Sequence, residues 1–271
     1  MSERMDSTLQ LLSSADYRVA AALIEPGIVL LLAGERTMAE SVWYVSGKEA
    51  EIKLKDIAKD AADYLAVRNI VVEVSLEVSA SGSRVMIVSY WSWDAANRLA
   101  DEFGMSSDVG SSGDITEWIK QFKAKLIARF GMTQSQADKW YEGADWVDDE
   151  LSSYNSSLDA LAGHVLAGVL YGYPVSDTGF LDVPLERHPQ ELKLVSLPAV
   201  EQFYPDVAQP IYAYNPNLEG SREVEAHIER WQALLRSIYD SQTHKSLLEN
   251  GEFKAARVFM EYDTRFSSPS N

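Results

Sequence analysis

Asp182 and the run Glu191-Leu192-Lys193 are, by type and spacing, the residues of this chain best suited to chemistry. Two carboxylates can hold Mg²⁺, and a lysine placed one apolar residue beyond the second can orient a water against a phosphodiester. His188, between Arg187 and Pro189 in the same stretch, is the histidine placed most like a site residue. The other three read as structural. Glu223–His227 and Asp240–His244 are i,i+4 pairs, which set a carboxylate and an imidazole on one helix face. Along one helix the two imidazoles stand about 25 Å apart, too far to share an ion. His164 falls in an apolar run and reads as a core histidine.

The order Asp182…Glu191-Leu192-Lys193 resembles the broad PD-(D/E)xK nuclease pattern across residues 182–193. The resemblance implies Mg²⁺-dependent phosphodiester hydrolysis, with Mg²⁺ as the cofactor. Glu51-Ile52-Lys53 spells the same tripeptide inside a helical pattern, so the spelling is not specific to a site. The chain has no GxSxG, no Walker lysine loop and no GxGxxG. Gly110-Ser111-Ser112-Gly113 is too short for a phosphate loop and has no strand before it. Gly163, Ala167, Gly168 and Gly172 read as small residues that permit close helix packing.

Charge weighs against a polyanionic substrate. Lys and Arg number 24 against 41 Asp and Glu, a formal charge of −17 spread along the whole chain. Such a surface repels nucleic-acid backbones and anionic lipid and keeps the chain soluble; it reads first as solvated acidity with no partner, with a basic protein partner or a salty cytoplasm as the alternatives. The cationic island Lys120, Lys123, Lys125 and Arg129 shares a helix with an apolar stripe. The acids Glu142, Asp145, Asp148, Asp149 and Glu150 follow closely, so neutralisation inside the domain is expected. Trp91, Trp93, Tyr204, Tyr212 and Tyr214 gather at strand ends and in a Pro-rich stretch, and the last three are candidate binding residues.

With no cysteine, disulfides, thiolate catalysis and Cys-ligated zinc are excluded. Met1 to Leu12 carries Glu3 and Asp6 and lacks the basic-then-apolar pattern of a signal peptide. The most apolar stretch, Leu161–Tyr173, is short of the roughly 20 residues of a membrane span. A cytoplasmic, membrane-free protein is expected, for which the sequon Asn155-Ser156-Ser157 has no meaning.

The elements that must position these residues follow an α+β pattern. Ile28–Ala33 is a continuous apolar run after Pro26-Gly27, read as a strand buried on both faces and paired with Ser41–Val45. Leu54, Ile57, Ala58, Ala61 and Leu65 recur at helical spacing. Ile70 to Val78 alternates apolar and polar side chains, which predicts one buried and one wet face, and Arg84–Trp91 returns as its hairpin partner. Ser92 precedes a helix that Gly104 ends. The order ββαββα predicts a mostly antiparallel sheet in residues 1–105, with a Ser/Gly/Asp linker at 106–113.

Residues 114–271 read as a mainly helical domain. Ile115, Trp118, Ile119, Phe122, Leu126 and Phe130 make one stripe closed by Gly131. Further helices follow at 134–151 and 157–171, the latter apolar nearly all round, and Ser221 opens a long helix with Val224, Ile228, Trp231 and Leu235 inside. Between them lies an irregular stretch, 174–216, in which 184–216 alone holds six of the nine prolines, with short strands at 192–197 and 211–214. This irregular stretch is expected to carry function more than the N-terminal sheet. The favoured reading is a non-enzymatic binding or adaptor protein. The alternative is a metal-dependent hydrolase using Asp182, Glu191 and Lys193, with His188 beside them.

The charge leads to an experiment. A mobility-shift titration with DNA or RNA at physiological salt should give no sub-micromolar complex. Such a complex would contradict the reading and direct mutagenesis to Lys120–Arg129.

Overall fold

The computed structural model describes residues 26–45, 47–78, 84–105, 114–142, 156–174, 193–196, 211–214, 216 and 221–239. They form two compact units. Residues 26–93, 196 and 230–239 belong to the first, and 94–195 and 211–229 to the second. The fold is α+β, as the sequence pattern implies. The linker read at 106–113 lies outside the described residues.

The first unit begins with a correction. Residues Pro26–Leu32 form helix α1, not a strand. Ile28, Val29, Leu30 and Leu31 are all fully buried, so the helix is apolar all round and shows no amphipathic period. A buried run this short reads equally as strand or helix by pattern alone. The distinguishing signals stood at its ends. Proline fits the first helical position, and Gly34, at φ 77°, adopts the left-handed conformation that closes a helix. Gly34 N–H donates to Leu31 O (3.0 Å) and Glu35 N–H to Leu30 O (2.9 Å), the paired bonds of a Schellman end.

Strand β1 (Met38–Tyr44) therefore finds its partner elsewhere. Helix α2 (Lys48–Ala66) leads into β2 (Ile70–Val78), and β3 (Arg84–Ser92) returns beside it. The sheet runs β1-β3-β2 and is antiparallel throughout. On β3, Val88 faces Ser41 on one side and Val74 on the other, and Met86 likewise faces Trp43 and Leu76. Met86, Val88 and Tyr90 are fully buried, as is Ala39 opposite Tyr90. Helix α1 packs against β1 and β3, and α2 against β2, with Ala58 and Leu65 in the core.

Residues 230–239, the end of helix α7 (Ser221–Tyr239), complete this unit. Glu35, just past α1, accepts hydrogen bonds from Arg230 Nη2 (2.7 Å) and from Trp231 Nε1 (3.1 Å). The Arg36 guanidinium lies 4.6 Å from the Trp231 ring centroid. The indole is fully buried with its N–H satisfied.

In the second unit, α3 (Trp93–Glu102) is followed by α4 (Ile115–Phe130), α5 (Gln134–Glu142) and α6 (Ser157–Leu170). Asp114 caps α4 by accepting from Glu117 N–H (3.1 Å), and Gly131 ends it as the pattern implied. The expected stripe is the buried face: Trp118, Phe122 and Leu126 are sealed. Phe122 stacks on Trp118 at 4.7 Å and meets Phe103 edge-on at 4.8 Å. Helix α6 packs on α4 and α5 and is the buried helix expected, capped by Ser156 accepting from Asp159 N–H. Strands β4 (Lys193–Ser196) and β5 (Ile211–Tyr214) form a two-stranded sheet.

Gly34 tests the helical assignment of residues 26–32. Gly34→Ala puts a Cβ on a left-handed residue and should cost about 1 kcal/mol, read as a lower midpoint in urea unfolding. An unchanged midpoint would favour the strand reading.

Candidate functional site

The residues singled out in the sequence are only partly placed. Asp182, His188, Glu191 and Tyr204 lie outside the described residues. Lys193 opens β4, and its Nζ stands 3.3 Å from Glu225 Oε1 on α7, with both side chains about half exposed. Tyr212 and Tyr214 are on β5. His164 is half-buried on α6, with its ring centroid 5.5 Å from that of Trp140. Among the described residues, no three His, Asp or Glu side chains are grouped to hold a metal ion. None of the described helices is long and apolar enough to cross a membrane.

The cationic island finds partners inside its own unit, while the acids at 145–150 expected to neutralise it lie outside the described residues. Lys120 pairs with Glu117 (3.5 Å) and Lys123 with Asp159 of α6. Lys125 Nζ donates to Gly104 O (3.1 Å), and Arg129 Nη1 donates to Glu102 O (3.2 Å). Glu102 is the last residue of α3 and Gly104 lies just past it, a region where helix carbonyls lack intrahelical donors and the dipole favours cations. Arg129 also lies 4.3 Å over the Phe103 ring. The group therefore clamps α4 to α3.

The sequence pattern assigned β2 a buried apolar face, and the structure corrects this. Ile70 is buried and Val72 half-buried, but Val74 is 41 % exposed, Leu76 37 % and Val78 70 %. The reason is position: β2 is an edge strand whose described neighbour is β3 alone. Core burial on the matching face of β3 does not extend across to it. An edge strand presents a row of backbone N–H and C=O groups open to pairing.

Around this edge the chemistry is mixed. Glu73 and Glu77 lie on the opposite sheet face, across from Ser89 and Val85 of β3. Both are exposed, and neither carboxylate has a partner among the described residues. At the open end, Arg84 faces Val78 across the hairpin and donates from Nη2 to Glu51 Oε2 (2.9 Å). Lys55, hydrogen-bonded to the same carboxyl at 2.7 Å, and Arg84 hold Glu51 below the usual carboxylate range. Its neighbour Ile52, in the first turns of α2, is 55 % exposed. The signal in the sequence was the pair of glutamates: charges on a strand mark a guarded edge as readily as a wet face.

No protein-family model, no curated protein and no solved structure matches this chain.

The clamp role of the basic helix is checked by Arg129→Met. The change should lower stability by about 1 kcal/mol in denaturant unfolding, through the lost helix-end contact and ring contact. Stability equal to that of the unaltered chain would return Arg129 to the pool of free surface charge.

Proposed function

We propose that this chain is a non-enzymatic binding or adaptor protein of the cytoplasm whose partner is a basic protein. One observation carries the reading: the outer half of β2 sets three solvent-exposed apolar side chains on one face and, on the other, two carboxylates with no partner among the described residues. Contiguous exposed apolar surface on a soluble fold marks interaction sites, and isolated carboxylates next to it favour a cationic occupant. The net charge of −17 adds long-range attraction for such a partner and repulsion of nucleic acid. The stretch 174–216, expected from the sequence to carry function more than the N-terminal sheet, lies mostly outside the described residues, and its Tyr204, Tyr212 and Tyr214 are a second candidate contact set. Of the alternative hydrolase trio Asp182, Glu191 and Lys193, the lysine is already engaged by Glu225.

Affinity capture from the native host, followed by mass spectrometry, tests the reading. A basic protein should co-elute in stoichiometric amount and be released by salt, because exposed charge pairs are screened within about 10 Å at 0.1 M. In parallel, the purified chain with Mg²⁺ should leave bis(p-nitrophenyl) phosphate intact. Turnover that disappears in Asp182→Asn and Glu191→Gln would establish the hydrolase instead.

A further inference from the structure

We infer that the edge of β2 away from β3, unpaired among the described residues, accepts an added β-strand, an extended segment of a partner in which Lys or Arg alternates with apolar residues. The inference deepens the binding reading above and rests on it. Strand addition needs three things: an open backbone edge, side-chain sites alternating between the two faces, and a complement that distinguishes one peptide from another.

All three are present between Glu73 and Val78. The backbone edge away from β3 has no strand beside it among the described residues. On the face that holds Met86 and Val88 of β3, Val74, Leu76 and Val78 continue the core outward into solvent, with Ile52 near the same end. A newcomer's apolar side chains would extend that layer and cover it. On the other face, Glu73 and Glu77 are two residues either side of Ser75 and want cations directly across from them. Cross-strand neighbours stand about 5 Å apart, close enough for lysine or arginine to reach. A single strand obeying the period of two meets both demands, because its odd and even positions fall on opposite faces.

The same arrangement disfavours a second copy of this chain. Antiparallel self-pairing centred on Ser75 matches Val74 with Leu76 but sets Glu73 opposite Glu77 on both sides of the axis. Like charges directly opposite destabilise a sheet, and −17 on each copy opposes the encounter. The glutamates thus select against the homotypic pairing to which an apolar edge is prone and in favour of a basic strand.

The test uses the full chain and three synthetic peptides matched to β2 in length. One alternates Lys with Val and Thr, one groups the same residues in blocks, and one replaces Lys by Glu. Fluorescence anisotropy should show the alternating peptide binding roughly tenfold more tightly than the block peptide. Amide hydrogen exchange should slow at 73–78. The double variant Glu73→Lys, Glu77→Lys should bind the Lys peptide roughly tenfold more weakly and gain affinity for the Glu peptide. If that variant fails to melt like the parent chain, Glu73→Gln, Glu77→Gln supplies the same loss. Equal binding of alternating and block peptides would reduce the effect to bulk charge and overturn the inference. So would protection confined to residues outside β2, or indifference to charge reversal. Protection of β2 that grows with chain concentration alone, together with dimers in sedimentation, would assign the edge to a second copy. If the peptides fail while capture still returns a salt-released basic partner, strand addition is wrong and the binding reading stands.

Discussion

A strand with neighbours on both sides has no backbone group to spare, and β3 is such a strand. Its pairing with β1 and with β2 binds segments about 50 residues apart in the chain into one sheet. Buried backbone groups left without partners are costly, so the central place goes to the strand that hairpin geometry and a second pairing satisfy at once. Met86, Val88 and Tyr90 are then fully buried, while the apolar face of β2 runs out from under its cover after Val72. Among the described residues, the unpaired edge of β2 is a direct consequence of which strand is central.

Helix ends are the second organising device. Glu35 follows the left-handed Gly34 that closes α1, and from there it receives both Arg230 and the Trp231 indole. Gly104 closes α3 in the same way, with Met105 N–H donating to Ala100 O (2.9 Å), and the exposed carbonyls there recruit Lys125 and Arg129. In each unit the segment that closes a helix becomes a docking point for a distant helix, through the Glu35 carboxylate in the first and through backbone carbonyls in the second. This also explains why the basic face of α4, the most tempting anion site in the chain, is occupied by its own protein.

Amphipathic helices were legible to the residue. Trp118, Phe122 and Leu126, or Val224, Ile228, Trp231 and Leu235, repeat with the helical period, and each set is buried as the repeat implies. The β2–β3 hairpin was legible too, from alternation on both sides of a Ser/Gly turn. Helix α1 was not, because burial on every side erases the period and leaves proline and glycine at its ends as the sole local evidence. Of the candidate site residues, Lys193 is placed against Glu225, a pairing across 32 positions that no local pattern announces.

Sequence by itself determined the acidic surface, the absence of thiol chemistry, the α+β class, and the spans and stops of most helices, because each depends on composition or on neighbours within a few turns. Only the tertiary structure decided that β1 joins β3 rather than the segment before it, and that Val74, Leu76 and Val78 stand in solvent. Alternation states that a strand has two unlike faces. Whether the apolar one is covered depends on where the strand sits in its sheet, and that is settled by pairing between segments far apart in the chain.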